Sequence, residues 1–442
     1  MIEQKKQLEN AVQDALMMAK KLGADQAEVA LGKSSGISVN TRLGEVENIE
    51  FNLDGAMGIS VYVGHCKGSA STADLSPDAI LSTVKAAINI AKYTSKDTFS
   101  GLLDPDLLER SVEDLDLYYP SQLNTEELLS MAKECEELAL DSDPLIVNSD
   151  GASVNSHSSL RVYGNSNDFL ESYASSRHSL SCVLIAQKGE EMQRDHSYTS
   201  DRDIKDLYSA QWVAEDAVKR TVERLGAVKL ATQETPVIFS PEVASSLFGH
   251  FVSAISGMNL YRKSTFLVDT LGKQIFPSWM KIEEKPHIKK GIASSPFDQE
   301  GGKTQDALIV EQGVLQTYLL TGYAARKLKM KSTGHCGGIH NWFIASNCHL
   351  DLAGLFKEMG TGLFVTELMG QGVNIVTGDY SRGASGFWIE NGVIAYPVHE
   401  ITIAGNLQHM FKNIEAIGCD VDPRSSLKTG SILMGKMKVA GL

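Results

Sequence analysis

Apolar residues change their spacing several times along the chain, and each change marks a different kind of element. In residues 4–22, Leu8, Val12, Ala15, Leu16 and Ala19 recur at helical spacing, and Gly23 follows as a stop. The stretches "QAEVALGKSSGISVNTRLGEVENIEFN" and "GISVYVGHCKGSAST" then alternate apolar and polar residues, the two-residue period of strands that bury one face. Helical patterns return from about Pro77 to Ala91 and from Thr125 to Leu140. "SYASSRHSLSCVLIAQKGEEMQRDHSYTS" is again strand-like, and residues 203–226 are predicted helical, ending at Gly226.

From Thr235 the texture differs: glycine is dense, short strands recur and hairpin signals appear. The clearest is "IENGVIAY", where Asn391-Gly392 between apolar runs suits a two-residue type I′ turn. These patterns predict an α+β protein. A mixed α/β N-terminal domain spans 1–230, and a β-rich, mainly antiparallel C-terminal domain spans 231–442, with the boundary in "VKLATQE". A chain of 442 residues is also too long for one core.

Composition narrows the function. A formal net charge of −14 argues against general electrostatic binding of nucleic acid or an anionic membrane, and "YRKS" and "ARKLKMKS" read as solvated faces or partner contacts. The N-terminal helix lacks the apolar core of a signal peptide, and no apolar run approaches a membrane span. Cysteines 66, 135, 182, 336, 348 and 419 form no CxxC pair, which predicts reduced thiols in a cytoplasmic protein.

Three segments invite a chemical reading. "FGHFVSAISG" sets His250 in an apolar helix that Ser240 can cap, with Pro241 and Glu242 in its first turn. Val243, Leu247, Phe251 and Ala254 share one stripe, and His250 flanks it. A zinc site here needs a second ligand one turn away and a carboxylate base, as in H-E-x-x-H. Position 251 is Phe and 254 is Ala, so nothing on this helix can activate water. The alternative is a histidine at the edge of a core, with one ring nitrogen bonded to a carbonyl.

"STGHCGGIHNW" gathers His335, Cys336 and His340, three possible zinc donors, in a spacing that matches no closed structural site. In an extended segment His335 and Cys336 point to opposite sides. Gly334, Gly337 and Gly338 indicate a tight backbone path or close approach to a ligand chain, which favours substrate or partner contact. "VTGDYSRGASGFWIENG" lacks the G-K-[ST] ending of a phosphate loop and leads into a hairpin. It contributes Asp379 and Arg382 as further candidate contacts. No motif ties a histidine to Cys419, so that cysteine carries no nucleophile reading.

"SSLFGHFVSAISGMNLYRKSTFLVDTLGKQIF", "STGHCGGIHNW", "EMGTGLFVTELMGQGVNIVTGDYSRGASGFWIENGVIAYPVHEITIAGNLQHMFKNIEAIG" and "GAMGISVYVGHCKGSASTADLS" closely resemble the TldD/PmbA family. The resemblance covers essentially the whole chain and is to the PmbA side of the family. It implies a cytoplasmic metalloprotease assembly, in older usage a modulator of DNA gyrase. A TldD subunit and its TldE partner there act as a heterodimer on peptides, maturing a microcin or degrading the antitoxin CcdA. In TldD, by the same resemblance, an H-E-x₃-H helix supplies two zinc ligands and the catalytic glutamate, and a later Cys-Gly supplies another ligand.

Carried onto this chain, the helix motif falls on His250, with Phe251 at the glutamate position and Ile255 at the second histidine. The Cys-Gly pair falls on Thr429-Gly430. The resemblance therefore implies a degenerate metal site: no catalytic residue and no zinc in this chain, with zinc in a TldD-like partner. Histidines five apart also lie about 140° apart on a regular helix, so the metal-bearing form needs a widened, π-like turn. Extended peptides are the expected substrates, the segments 334–342 and 378–388 the candidate contacts, and a homodimer is a possible state of the lone chain. Two alternatives stay open: an atypical metallopeptidase site such as His250, His335 and His340, and a regulatory protein that binds DNA gyrase.

Overall fold

The computed structural model describes residues 2–441. Its first helix, α1 (Lys5–Lys21), buries Leu8, Val12, Ala15 and Ala19, the stripe that the sequence pattern predicts. A long hairpin follows, β1 (Gln26–Arg42) and β2 (Glu45–Val63), turned at Leu43-Gly44, both at positive φ. Next come β3 (Cys66–Thr72), α2 (Pro77–Tyr93), capped by Ser76, and α3 (Thr125–Ser142), opened by an Asn124/Glu127 capping box. β4 (Ile146–Asn165), β5 (Phe169–Lys188) and β6 (Glu191–Asp201) complete an antiparallel sheet of order β3-β2-β1-β4-β5-β6. The helix predicted over 203–226 is shorter. It runs only Ala210–Val222 (α4), because Ser209 takes the cap by accepting from the Trp212 N–H, and a separate 3₁₀ turn occupies Ile204–Asp206.

One face of this sheet carries all four helices. Val29 and Leu31 of β1 pack with α1 and α2, while Val39, in phase with them, packs with α3 and α4. Close approach is built in at Gly68, where an added Cβ would overlap the Ala87 carbonyl oxygen and the Ala91 nitrogen of α2. Gly68→Ala is expected to destabilise the protein by about 1–3 kcal/mol or more, read as a lowered urea midpoint. The opposite face presents Tyr163 from β4 and Phe169 from β5 to Phe297, further along the chain.

The remainder is strand-rich. It contains β7 (Gln233–Phe239), α5 (Pro241–Ala254), α6 (Gly257–Tyr261), β8 (Ile282–Lys285), β9 (Ala307–Glu311), β10 (Val314–Leu315) and α7 (Gly322–Leu328). It continues with β11 (Asn341–Ile344), α8 (Leu352–Met359), β12 (Gly362–Met369), β13 (Asp379–Glu390), β14 (Val393–Asn406) and α9 (Leu407–Lys412). The last strands are β15 (Ile414–Ile417), β16 (Leu427–Lys428) and β17 (Ile432–Ala440). Short strands form the sheet β10-β9-β8-β11-β16; longer ones form β14-β13-β12-β7-β17-β15, which closes through a β14–β17 pairing. Most ladders are antiparallel, with parallel pairing at β7–β12 and β11–β16, so the α+β class stands. Asn391 and Gly392 both take positive φ in the β13–β14 turn.

Charged side chains join the two halves. Arg220 of α4 donates to both Glu242 oxygens at 3.0 and 2.8 Å, and Arg424, which donates to Glu242 at 2.6 Å, also reaches the Tyr198 carbonyl of β6 at 2.9 Å. Arg326 of α7 donates to the carbonyls of Phe99, Gly101 and Leu102 at 2.7–3.1 Å. No helix among the described residues is long and apolar enough to cross a membrane.

Candidate functional site

Helix α5 forms as its sequence dictates. The Ser240 hydroxyl accepts from the Val243 N–H, Pro241 occupies the first turn, and Val243, Leu247, Phe251 and Ala254 are buried. Phe251 is wholly buried among Phe276, Phe411 and Trp342, at ring separations of 4.9, 5.7 and 6.1 Å. Ile255, equally buried, caps the helix with a regular N–H bond to the Phe251 carbonyl at 3.0 Å, so no widened turn is present. Thr429 is fully buried as well, its hydroxyl on the Gly430 carbonyl, and a Cβ at Gly430 would overlap the Gly418 carbonyl oxygen.

His250 sits half-buried at the core edge, as expected, but among the described residues its buried Nε2 has no hydrogen-bond partner instead of resting on a carbonyl. The ring stands edge-on to Tyr380 at 6.0 Å, and burial, with Arg382 adding to it, holds its pKa below the ordinary histidine value. Arg382 donates through Nε to the Met369 carbonyl at 3.1 Å. Asp379 is turned to its own hairpin, accepting from the Thr377 hydroxyl at 2.7 Å and from Asn406.

The loop 333–340 makes the tight path that its glycines predict. Gly334, Gly337 and Gly338 all have positive φ, and a Cβ at Gly334 would overlap the Lys303 carbonyl oxygen. The expectation that His335 and His340 offer a contact surface is corrected by burial: their side chains are 3% and 7% exposed. Both turn onto Glu284 of β8, itself 1% exposed. His335 Nε2 lies 2.6 Å from Glu284 Oε2; Oε1 accepts the His340 N–H at 2.6 Å and the Trp342 Nε1–H at 3.0 Å, with His340 Nδ1 at 3.3 Å. Burial alone would raise the Glu284 carboxyl, but the bonds from His335 and His340 hold it well below the ordinary glutamate range.

Cys336 does not join this group. It lines a cleft of about 730 Å³ with Glu28, Tyr163, Gln299 and Glu300, and burial pushes its thiol up, so it stays protonated. His250 is also separate: among the described residues, the donors able to converge on one ion are those of Glu284, His335 and His340, all within 4.8 Å. The atypical trio His250, His335 and His340 is therefore not assembled. Glu284 escaped the sequence reading, yet it carries a signal. It is in phase with buried Ile282, whereas Glu283, out of phase, pairs with Lys281 outside.

Residues 27–91, 118–225 and 232–441 match, in turn, domain 1, the central domain and the C-terminal domain of the PmbA/TldA metallopeptidases. The chain is 54% identical to metalloprotease PmbA of Escherichia coli O157:H7, and 54% identical to the PmbA homolog of Haemophilus influenzae. Each match covers 99% of this chain and 97% of the relative. A crystal structure from Bacteroides thetaiotaomicron, named there a candidate modulator of DNA gyrase, superposes with TM-score 0.93 at 29% identity over 98% of both chains. TldE from Thermococcus kodakarensis shares the fold, with TM-score 0.84 at 21% identity over 98% of this chain and all of its own. On the profiles and identities together, the chain belongs to the PmbA/TldD family.

Proposed function

We propose that this chain is the PmbA/TldE-type subunit of a cytoplasmic TldD/TldE-type metalloprotease, acting on unfolded peptides such as a microcin precursor or the antitoxin CcdA. A TldD-like partner supplies the zinc and the catalytic glutamate. One observation carries this reading: Phe251 and Ile255 are wholly buried where the motif requires a base and a ligand. A lone histidine beside a core phenylalanine and an isoleucine does not fit a zinc ion.

The chain's contribution is then to complete the pair and guide an extended substrate. Gly337 and Gly338, exposed at the tip of the loop, suit close backbone approach better than the buried histidines beside them. Incubated with an unfolded peptide, the purified chain is expected to give no cleavage, whereas the chain mixed with a TldD-type subunit elutes as a heterodimer and cleaves. Chelator-sensitive cleavage by the lone chain would defeat the reading. The gyrase name of the Bacteroides structure supports a second, regulatory reading. A stable gyrase complex without any TldD would favour it.

A further inference from the structure

We propose that Glu284, His335 and His340 hold a divalent transition metal, zinc by donor type, as a structural tie between β8 and the loop 333–342. This site is distinct from helix α5 and does not depend on the subunit reading above. Two imidazoles and one carboxylate are a donor set that suits zinc. Here they converge within 4.8 Å of one another, all three residues buried.

The hydrogen bonds around the donors are those that orient metal ligands. Thr333 has one hydroxyl proton, and its Oγ1 accepts the Leu320 N–H at 2.8 Å while lying 3.0 Å from the Tyr318 carbonyl oxygen. With that proton on the carbonyl, Oγ1 is an acceptor for His335 Nδ1–H at 2.8 Å. A proton fills the 2.6 Å gap between His335 Nε2 and Glu284 Oε2. With Thr333 holding Nδ1–H, release of that proton leaves an imidazole lone pair and a carboxylate oxygen aimed at one space, which a metal ion then occupies in its place. Oε1, by contrast, is already fixed by the His340 N–H and Trp342 Nε1–H, which aims Oε2 at the same space.

Size agrees with this. Zinc bonds near 2.0–2.1 Å set tetrahedral ligands about 3.3 Å apart. Oε2 lies 2.6 Å from His335 Nε2 and the three donors lie within 4.8 Å of one another, so a small outward shift of His335 admits the ion. Glu284 is itself a ligand in this arrangement, and among the described residues no other His, Cys, Asp or Glu joins the group. The ion's work there is to tie strand β8 to the loop.

The test uses the untagged full-length chain, incubated with zinc, dialysed and assayed for bound metal. About one equivalent is expected, falling at least about tenfold in His335→Asn and in Glu284→Gln, and unchanged in His250→Ala. Cobalt in the wild-type chain should give the visible bands of a low-coordinate site, a readout that needs no variant to fold. Wild-type protein that retains no zinc and shows no such bands, or metal lost in His250→Ala and kept in His335→Asn, would overturn the proposal. A peptidase assay on the same samples separates the two readings. Zinc without cleavage supports both, and zinc with cleavage by the lone chain overturns the subunit reading alone.

Discussion

Glutamate in place of Phe251 is expected to abolish the folded C-terminal half, even though it restores one residue of the metalloprotease motif. The ring occupies the centre of an aromatic cluster with Phe276, Phe411 and Trp342, and none of its surface reaches solvent. Loss of a buried phenylalanine costs about 3–5 kcal/mol, and an unpaired buried carboxylate adds several more. The sum rivals the whole stability of a typical domain, about 5–15 kcal/mol. Phe251→Leu, which conserves most of the volume, should lose far less, about 1–2 kcal/mol. Urea unfolding followed by circular dichroism ranks the three proteins. A Phe251→Glu chain with a wild-type midpoint would mean that the helix is not committed to the core and that the motif could be rebuilt.

The second large effect is expected at Glu284. Alanine there removes the acceptor for His335 Nε2, the His340 N–H and Trp342 Nε1–H at once, all of them buried. Breaking such a buried charged group typically destabilises by about 3–5 kcal/mol. Glutamine retains an acceptor for the backbone and indole donors, so it should recover part of the loss. The damage should be local first: amide hydrogen exchange is predicted to accelerate across residues 333–342 before the rest of the chain. A change below about 1 kcal/mol with unaltered exchange would show that the loop is held by its glycine geometry alone.

How far the sequence foretold this structure depends on the range of the interaction involved. Helix α5 was readable to the residue at its start, because Ser240, Pro241 and Glu242 act on their own helix end. The Asn391-Gly392 turn was readable for the same reason. The 203–226 helix was overextended because apolar spacing continued past Ser209, and only the cap revealed where it begins. Long-range pairing was hidden. Glu284 lies about fifty residues from the histidines it meets, and its only trace is a charge in phase with Ile282. The expectation that His335 and Cys336 point to opposite sides holds: one side chain enters the core and the other faces the cleft, on a path that positive φ at the flanking glycines makes tight. The role of Glu242 also grew, from a favourable charge at a helix end to the shared partner of Arg220 and Arg424.

The first sheet bears on how such a protein could be taken apart. Two segments recognisable as separate family domains, 27–91 and 118–225, meet along β1 and β4, whose residues 28–41 and 152–165 pair without interruption. Neither segment owns the complete sheet, so each taken alone leaves a long strand edge unpaired. A nick within 94–124 would leave two pieces zipped together by backbone hydrogen bonds. That seam makes the chain a natural candidate for fragment complementation, in which two separately made halves find each other by strand register.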